Sequence, residues 1–187
     1  MAEEPMEIQS LSPAASADDM LVERVTDLVN TAFVETEAGL WSGAAVRTGR
    51  EQMAGLILAG QLVLATQGGR AVGCVRVRRL DAVTGKFGML ASDPGRRRTG
   101  IGRELVHYVE QRCAGEGCTT MQLGLLVPRD WAHPAKQCLA GWYDRMGYRV
   151  VHTSPVRDSH PELVARLATP CDFLTYHKPL HRPDTAR

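Results

Sequence analysis

The stretch from Gly88 to Gln111 constrains this chain's fold most. Phe87 to Ala91 is an apolar run of strand length, and from Glu104 onward Leu105, Val106, Tyr108 and Val109 recur at helical spacing. A strand therefore feeds a helix. The turn between them carries Gly95, Gly100 and Gly102 and the consecutive arginines Arg96, Arg97 and Arg98. Glycines let a backbone approach a ligand and expose successive N–H groups, and a helix start carries partial positive charge. Such a turn is an anion cradle, most naturally for phosphate, or else a tight turn whose arginines are solvated.

The spacing excludes the two common nucleotide motifs. A triphosphate loop ends in Gly-Lys-Ser or Gly-Lys-Thr, and no lysine lies in this turn. A dinucleotide fingerprint reads Gly-x-Gly-x-x-Gly, whereas the series here is Gly95-x-x-x-x-Gly100-x-Gly102. A chain of 187 residues with 44% hydrophobic content fits one domain with an ordinary core. Its net charge of +1 argues against a broad nucleic-acid surface. No apolar stretch has membrane-span length, and the N-terminal residues lack a signal peptide's basic and apolar regions, so a cytoplasmic protein without membrane partner is expected. Cys74, Cys113, Cys118, Cys138 and Cys171 form no Cys-x-x-Cys pair, so reduced, mostly buried thiols are expected. The histidines show no metal-ligand spacing, and no metal is expected.

Taken in order, Met6 to Leu11 suits a first strand, and Ser16 or Asp18 can cap a helix with Leu21, Val25, Leu28 and Val29 on one face. Phe33 to Arg47 has no clear period and reads as a loop. Thr48 with Glu51 reads as a capping box for a helix with Met53, Leu56 and Ile57 on its apolar face, ended by Gly60. Leu62 to Ala65 and Ala71 to Arg79 are strands joined at Gly68-Gly69, and a turn from Asp81 to Gly85 leads into the central strand. After the central helix come a strand from Met121 to Val127 and a helix from Pro134 to Met146 with Cys138, Leu139, Trp142 and Met146 on one face, stopped by Gly147. Strands at Tyr148 to His152 and Cys171 to His177 flank a short helix or turn at Glu162 to Leu167, and the tail from Pro179 is expected to be loose. The fold class is α+β, a central mixed, mostly antiparallel sheet of about seven strands flanked by helices in one domain, its core at about 6–178.

Two motifs give this pattern a family. Arg97-Arg98-Thr99-Gly100-Ile101-Gly102 resembles the Arg/Gln-x-x-Gly-x-Gly/Ala loop of the acetyl-CoA-dependent N-acetyltransferases of the GNAT superfamily, and Trp142-Tyr143-Asp144-Arg145-Met146-Gly147-Tyr148 is similar to that family's aromatic-Tyr-acidic-x-x-Gly-aromatic signature. The element order resembles the GNAT fold as well. The resemblance implies that acetyl-CoA is the co-substrate. The backbone of Leu90, Ala91 and Ser92 would meet the pantetheine arm, and Arg97, Arg98, Thr99, Gly100, Ile101 and Gly102 would hold the pyrophosphate. Tyr143 would protonate the departing thiolate, a phenol of pKa about 10 serving a thiol of about 8.5, or it is a packed tyrosine with a satisfied hydroxyl. Lys136 stands where the family often has an asparagine, and it joins the expected cofactor contacts.

The acceptor side rests on less. Pro128 to Pro134 is longer than usual for the family; it lines the acceptor pocket or is a stiff surface loop. His133 or a bound water is the expected base, since Gly85-Lys86-Phe87 lacks the family's frequent acidic residue on the central strand. Glu35, Glu37, Trp41, Asp130 and Trp131 could together make an aromatic, acidic pocket for a cationic amine, or each packs or is solvated separately. The expected function is acetyl transfer from acetyl-CoA to a primary amine, on a small molecule or a peptide, by direct attack in a ternary complex. A non-catalytic acyl-CoA sensor on the same fold is the alternative. Homodimers are common in the family.

Overall fold

The structure, a computed structural model, describes residues 4–43, 46–96 and 98–181. Seven strands form one mixed sheet in the order β1-β2-β3-β4-β5-β7-β6. They are β1 (Met6–Ser10), β2 (Leu62–Gln67), β3 (Arg70–Arg79), β4 (Thr84–Ser92), β5 (Thr120–Pro128), β6 (Arg149–Pro155) and β7 (Cys171–Pro179). The helices are α1 (Asp19–Thr36), α2 (Arg50–Leu58), α3 (Ile101–Gly115) and α4 (Pro134–Arg145), with one-turn helices α5 (Val156–Ser159) and α6 (Pro161–Val164).

Strand alternation sends Leu62 and Leu64 to one face, where they pack with Val25, Val29, Met53 and Ile57 of α1 and α2. It sends Val63 and Ala65 to the other, where Leu105, Val106 and Val109 of α3 and Tyr143 of α4 complete the core. Glycine punctuation fixes the helix ends. Gly60, Gly117 and Gly147 adopt φ of 65°, 94° and 92°. Each lies inside a Schellman closure, such as Gln61 N–H to Leu56 C=O at 3.0 Å and Tyr148 N–H to Tyr143 C=O at 3.0 Å.

Two features of the sheet position the site. Among the described residues the one parallel contact, β4 with β5, is limited to Thr84–Thr120, Gly85–Met121 and Lys86–Gln122; beyond these rungs the two strands part. Across β4, Cys74 pairs with Ala91 and Arg76 with Gly88, so Val75 alone faces Met89 and Leu90. This is a β-bulge, and Met89 sits in it at φ 50°. The extra residue reverses the alternation, so that Phe87 points to the α3 core while Met89 and Ala91 point to the α1 core.

Helix α3 is held close and pinned. A Cβ on Gly73 would lie 2.5 Å from Ile101 Cγ2 and 3.1 Å from the Ala91 carbonyl oxygen, so only glycine lets the first turn of α3 settle onto β3. Further along, Glu110 accepts from the Tyr148 hydroxyl at 2.5 Å and from Lys178 Nζ at 2.9 and 2.8 Å, tying α3 to the end of β7.

Several expectations change. Helix α1 continues through Phe33 to Thr36, where a loop was expected. Asp18 caps it, accepting from Leu21 N–H at 3.0 Å. The capping box at Thr48 does not form: Gly49 is the N-cap of α2, and the Thr48 hydroxyl turns to Gln52 Oε1 at 3.0 Å. Asn30 of α1 already accepts from the Arg47 and Thr48 amides at 2.9 and 3.1 Å, so a tertiary partner displaced the local cap. Cys138 is exposed, whereas the other four thiols are buried. The tail is docked as far as Leu180, whose N–H reaches Thr119 C=O at 2.8 Å; the expectation for its last six residues lies outside the described ones.

Candidate active site

The phosphate turn starts where β4 ends. Asp93 N–H bonds Val72 C=O at 2.9 Å, the Asp93 carboxylate accepts from Gly95 N–H at 2.9 Å, and Arg96 reaches back to the Gln67 amide oxygen. Thr99 closes the turn by donating to Arg96 C=O at 2.7 Å. Arg98 and Gly100 are both left-handed, at φ 65° and 89°. Left-handed backbone at a non-glycine residue costs about 1 kcal/mol or more. Gly100 is the N-cap of α3 and supplies no side chain to it, so among the described residues the amides of Ile101, Gly102 and Arg103 have no side-chain cap. Arg98, Thr99 and Gly100 are exposed, and Ile101 is buried as the anchor. Arg97 lies outside the described residues.

This helix start packs on β3 at Gly73 and meets Trp142 of α4, the neighbour of Tyr143. Leu90, Ala91 and Ser92 follow the bulge; Ala91 and Ser92 pair with β3 on one side, and no ladder joins them to β5 on the other. Tyr143 of α4 packs beside Phe87, the first β4 residue past the last rung shared with β5. Its ring lies 6.2 Å from Phe87 on β4, 5.0 Å from Trp142 and 6.0 Å from Tyr176 on β7. The residue is 6% exposed, and among the described residues nothing hydrogen-bonds its hydroxyl. Burial, helped by Tyr176, pushes the phenol above its ordinary value. It therefore holds its proton firmly and gives it up less readily than an unperturbed tyrosine.

Across the gap the geometry is made of side chains. Lys136, expected among the cofactor contacts, is 4% exposed and directs its ammonium to Glu37 Oε1 at 3.3 Å. The other Glu37 oxygen accepts from Trp41 Nε1 at 2.6 Å and lies 3.9 Å from Arg47 Nε. Burial holds the Lys136 ammonium below its ordinary value, against the pull of Glu37. A groove of about 580 Å³ joins Glu35, Glu37 and Trp41 to Arg47, Arg166 and Pro94 of the phosphate turn. The aromatic faces there already carry cations, with Arg166 5.5 Å from the Trp41 ring and Arg47 5.1 Å from Phe33. Glu37 and Trp41 thus meet, around resident cations.

His133, the N-cap of α4, is buried and stacked under Trp131 at 5.3 Å, and neither ring nitrogen has a partner among the described residues. The Trp131 ring comes within 3.6 Å of where a Gly39 Cβ would be, so the residues after β5 do reach the end of α1. Asp130 is exposed beside Arg129, which pairs with Asp172. Among the described residues no group of three His, Cys, Asp or Glu side chains could hold a metal, and no helix is long and apolar enough to cross a membrane.

The model of the acetyltransferase (GNAT) domain family matches residues 59–150, a span that contains the bulged strand, the phosphate turn and Tyr143. The chain carries a GNAT acetyltransferase domain. Solved GNAT structures share its fold. PaiA N-acetyltransferase from Thermoplasma acidophilum, in complex with coenzyme A, superposes with a TM-score of 0.69 at 16% identity, over 94% of this chain and 99% of that one. An aminoglycoside 6'-N-acetyltransferase complexed with coenzyme A gives 0.67 at 18%, over 95% and 99%. N-acetylglutamate synthase from Neisseria gonorrhoeae, complexed with coenzyme A and N-acetyl-glutamate, gives 0.63 at 17%, over 97% of this chain and 36% of that one. Identities this low carry the fold alone. No curated protein matches the chain.

Proposed function

We propose that the chain is an N-acetyltransferase moving the acetyl group of acetyl-CoA to a primary amine by direct attack in a ternary complex. The observations that support this reading are a start of α3 with no side-chain cap, an edge of β4 without a β5 partner beyond Lys86, and the Tyr143 ring packed against Phe87 next to that edge. Acetyl-CoA supplies an activated thioester. Free amides of Ile101 and Gly102, with Arg98 beside them, suit a diphosphate. The β4 edge at Leu90, Ala91 and Ser92 suits an extended amide chain, which would add to the sheet as a strand does.

Attack by the amine forms the new C–N bond and breaks the C–S bond, and the sulfur leaves as a thiolate that needs a proton or a hydrogen bond. Tyr143 is the donor. Its raised pKa makes it a neutral hydrogen-bond donor to the sulfur across the physiological range. The proton lost by the nitrogen goes to water or to His133. Both His133 ring nitrogens are buried, so His133 can act only if a rearrangement opens them to the acceptor. An amine-panel assay detecting free thiol tests the reading. Tyr143→Phe should lose turnover while keeping affinity for acetyl-CoA; a wild-type chain that binds acetyl-CoA yet releases no thiol with any amine would instead be a sensor.

A further inference from the structure

Beside the bulge lies a cluster of cations that the transfer step does not use. Arg76 is registered opposite Gly88 and Arg78 opposite Lys86. Phe87 points to the α3 core, so Lys86 and Gly88 face the opposite side, as do Arg76 and Arg78, which alternate with the core residues Val75 and Val77. Gly88 presents no side chain, and a Cβ there would meet nothing within 4 Å, so the face is hollow at that point. The hollow lies between Lys86, on the last rung shared with β5, and the bulge at Met89. It is thus at the base of the opening already described, on its α1 side.

Arg76 and Lys86 are half-buried, and neither they nor Arg78 pair with a carboxylate among the described residues; Arg76 Nε makes one neutral bond, to Gln61 Oε1 at 2.8 Å. Desolvation, then mutual repulsion, holds both Arg76 and Lys86 below their ordinary values, and Arg47 adds to the repulsion on Arg76. Like charges directly across a strand pair are destabilising. Unneutralised cations around an open hollow fit an arriving anion.

We propose that the acceptor is a small primary amine bearing an acid group a few bonds from its nitrogen, and that Arg76, Arg78 and Lys86 bind that acid group over Gly88. The proposal rests on the acetyltransferase reading and gives the substrate a chemical class. From Gly88 to Leu90 is about 7 Å along a strand, which separates the acid from the amine by the length of a small molecule. Guanidinium groups match carboxylate and phosphate oxygens. The same cluster repels polycations, so it selects by exclusion as well as by attraction.

Matched acceptors test this with the full chain, using free-thiol release to compare β-alanine with β-alaninamide and phosphoethanolamine with ethanolamine, and spermidine and kanamycin as polycations. The acid member of at least one pair should exceed its uncharged partner and both polycations about tenfold in kcat/KM, and the pair that does so distinguishes carboxylate from phosphate. Lys86→Gln and Arg76→Gln should each shrink that ratio severalfold, mainly through KM. Polycations used equally well or better, no turnover of either acid, or a ratio unmoved in both variants overturns the proposal. Calorimetry with acetyl-CoA keeps the two readings apart: no binding defeats the acetyltransferase reading, whereas binding combined with a preference for uncharged or cationic amines defeats only this one.

Discussion

On the β4 side of the opening, the groups offered to a ligand are backbone amides and a strand edge, held by glycines, by the local bonds of Asp93 with Gly95 and Thr99 with Arg96, and by ties to β2 and β3. On the α1 and α4 side they are side chains whose partners come from far along the chain, as when Lys136 meets Glu37 99 positions away. In the first kind of site the groups offered are main-chain, so most side-chain replacements leave them in place unless they change φ, fill space or remove a turn-closing group such as the Asp93 carboxylate. The second kind depends on pairs, and each pair fails when one member is removed.

The largest effect should come from breaking a pair. Glu37→Ala strands the buried Lys136 ammonium and should cost about 3 kcal/mol in chemical denaturation, while Lys136→Met should cost less, because Glu37 keeps the Trp41 N–H and the Arg47 guanidinium. Equal losses in the two variants would erase the asymmetry. Next, Tyr143→Phe should lower kcat about a hundredfold with the dissociation constant for acetyl-CoA unchanged, since the hydroxyl meets the leaving sulfur and not the diphosphate. Gly100→Ala probes the backbone side; at φ 89° alanine is strained, and affinity for acetyl-CoA should fall about tenfold with kcat nearly kept. The smallest effect concerns pH. A phenol held above its ordinary value stays protonated through pH 10, so wild type and Tyr143→Phe should show parallel rate profiles up to there. An alkaline decline below pH 10 present only in wild type would contradict the assigned environment.

The two sides also differed in how far they could be read from residues alone. The strand, turn and helix from Phe87 to Gln111 follow from local pattern, and Gly60 and Gly147 announce helix ends because only glycine takes that φ cheaply. The end of α1 was hidden: Phe33 to Thr36 lacks an apolar period, and the segment is helical because it continues a helix already docked. Thr48 and Glu51 carry a correct local signal for a cap, overridden by Asn30 from another helix. The occupation of Glu37 and Trp41 by Lys136 and Arg166 is a tertiary fact with no local signature. The Arg76, Arg78 and Lys86 cluster needed the β3–β4 register, and the strand identities alone do not give it.

Titration of the purified chain with acetyl-CoA in a calorimeter tests the central claim most directly. The account predicts a saturating one-to-one isotherm in the micromolar range, about −8 kcal/mol, weakened by Gly100→Ala and unaffected by Tyr143→Phe. No heat at about 1 mM acetyl-CoA, a binding free energy weaker than about −4 kcal/mol, would contradict it.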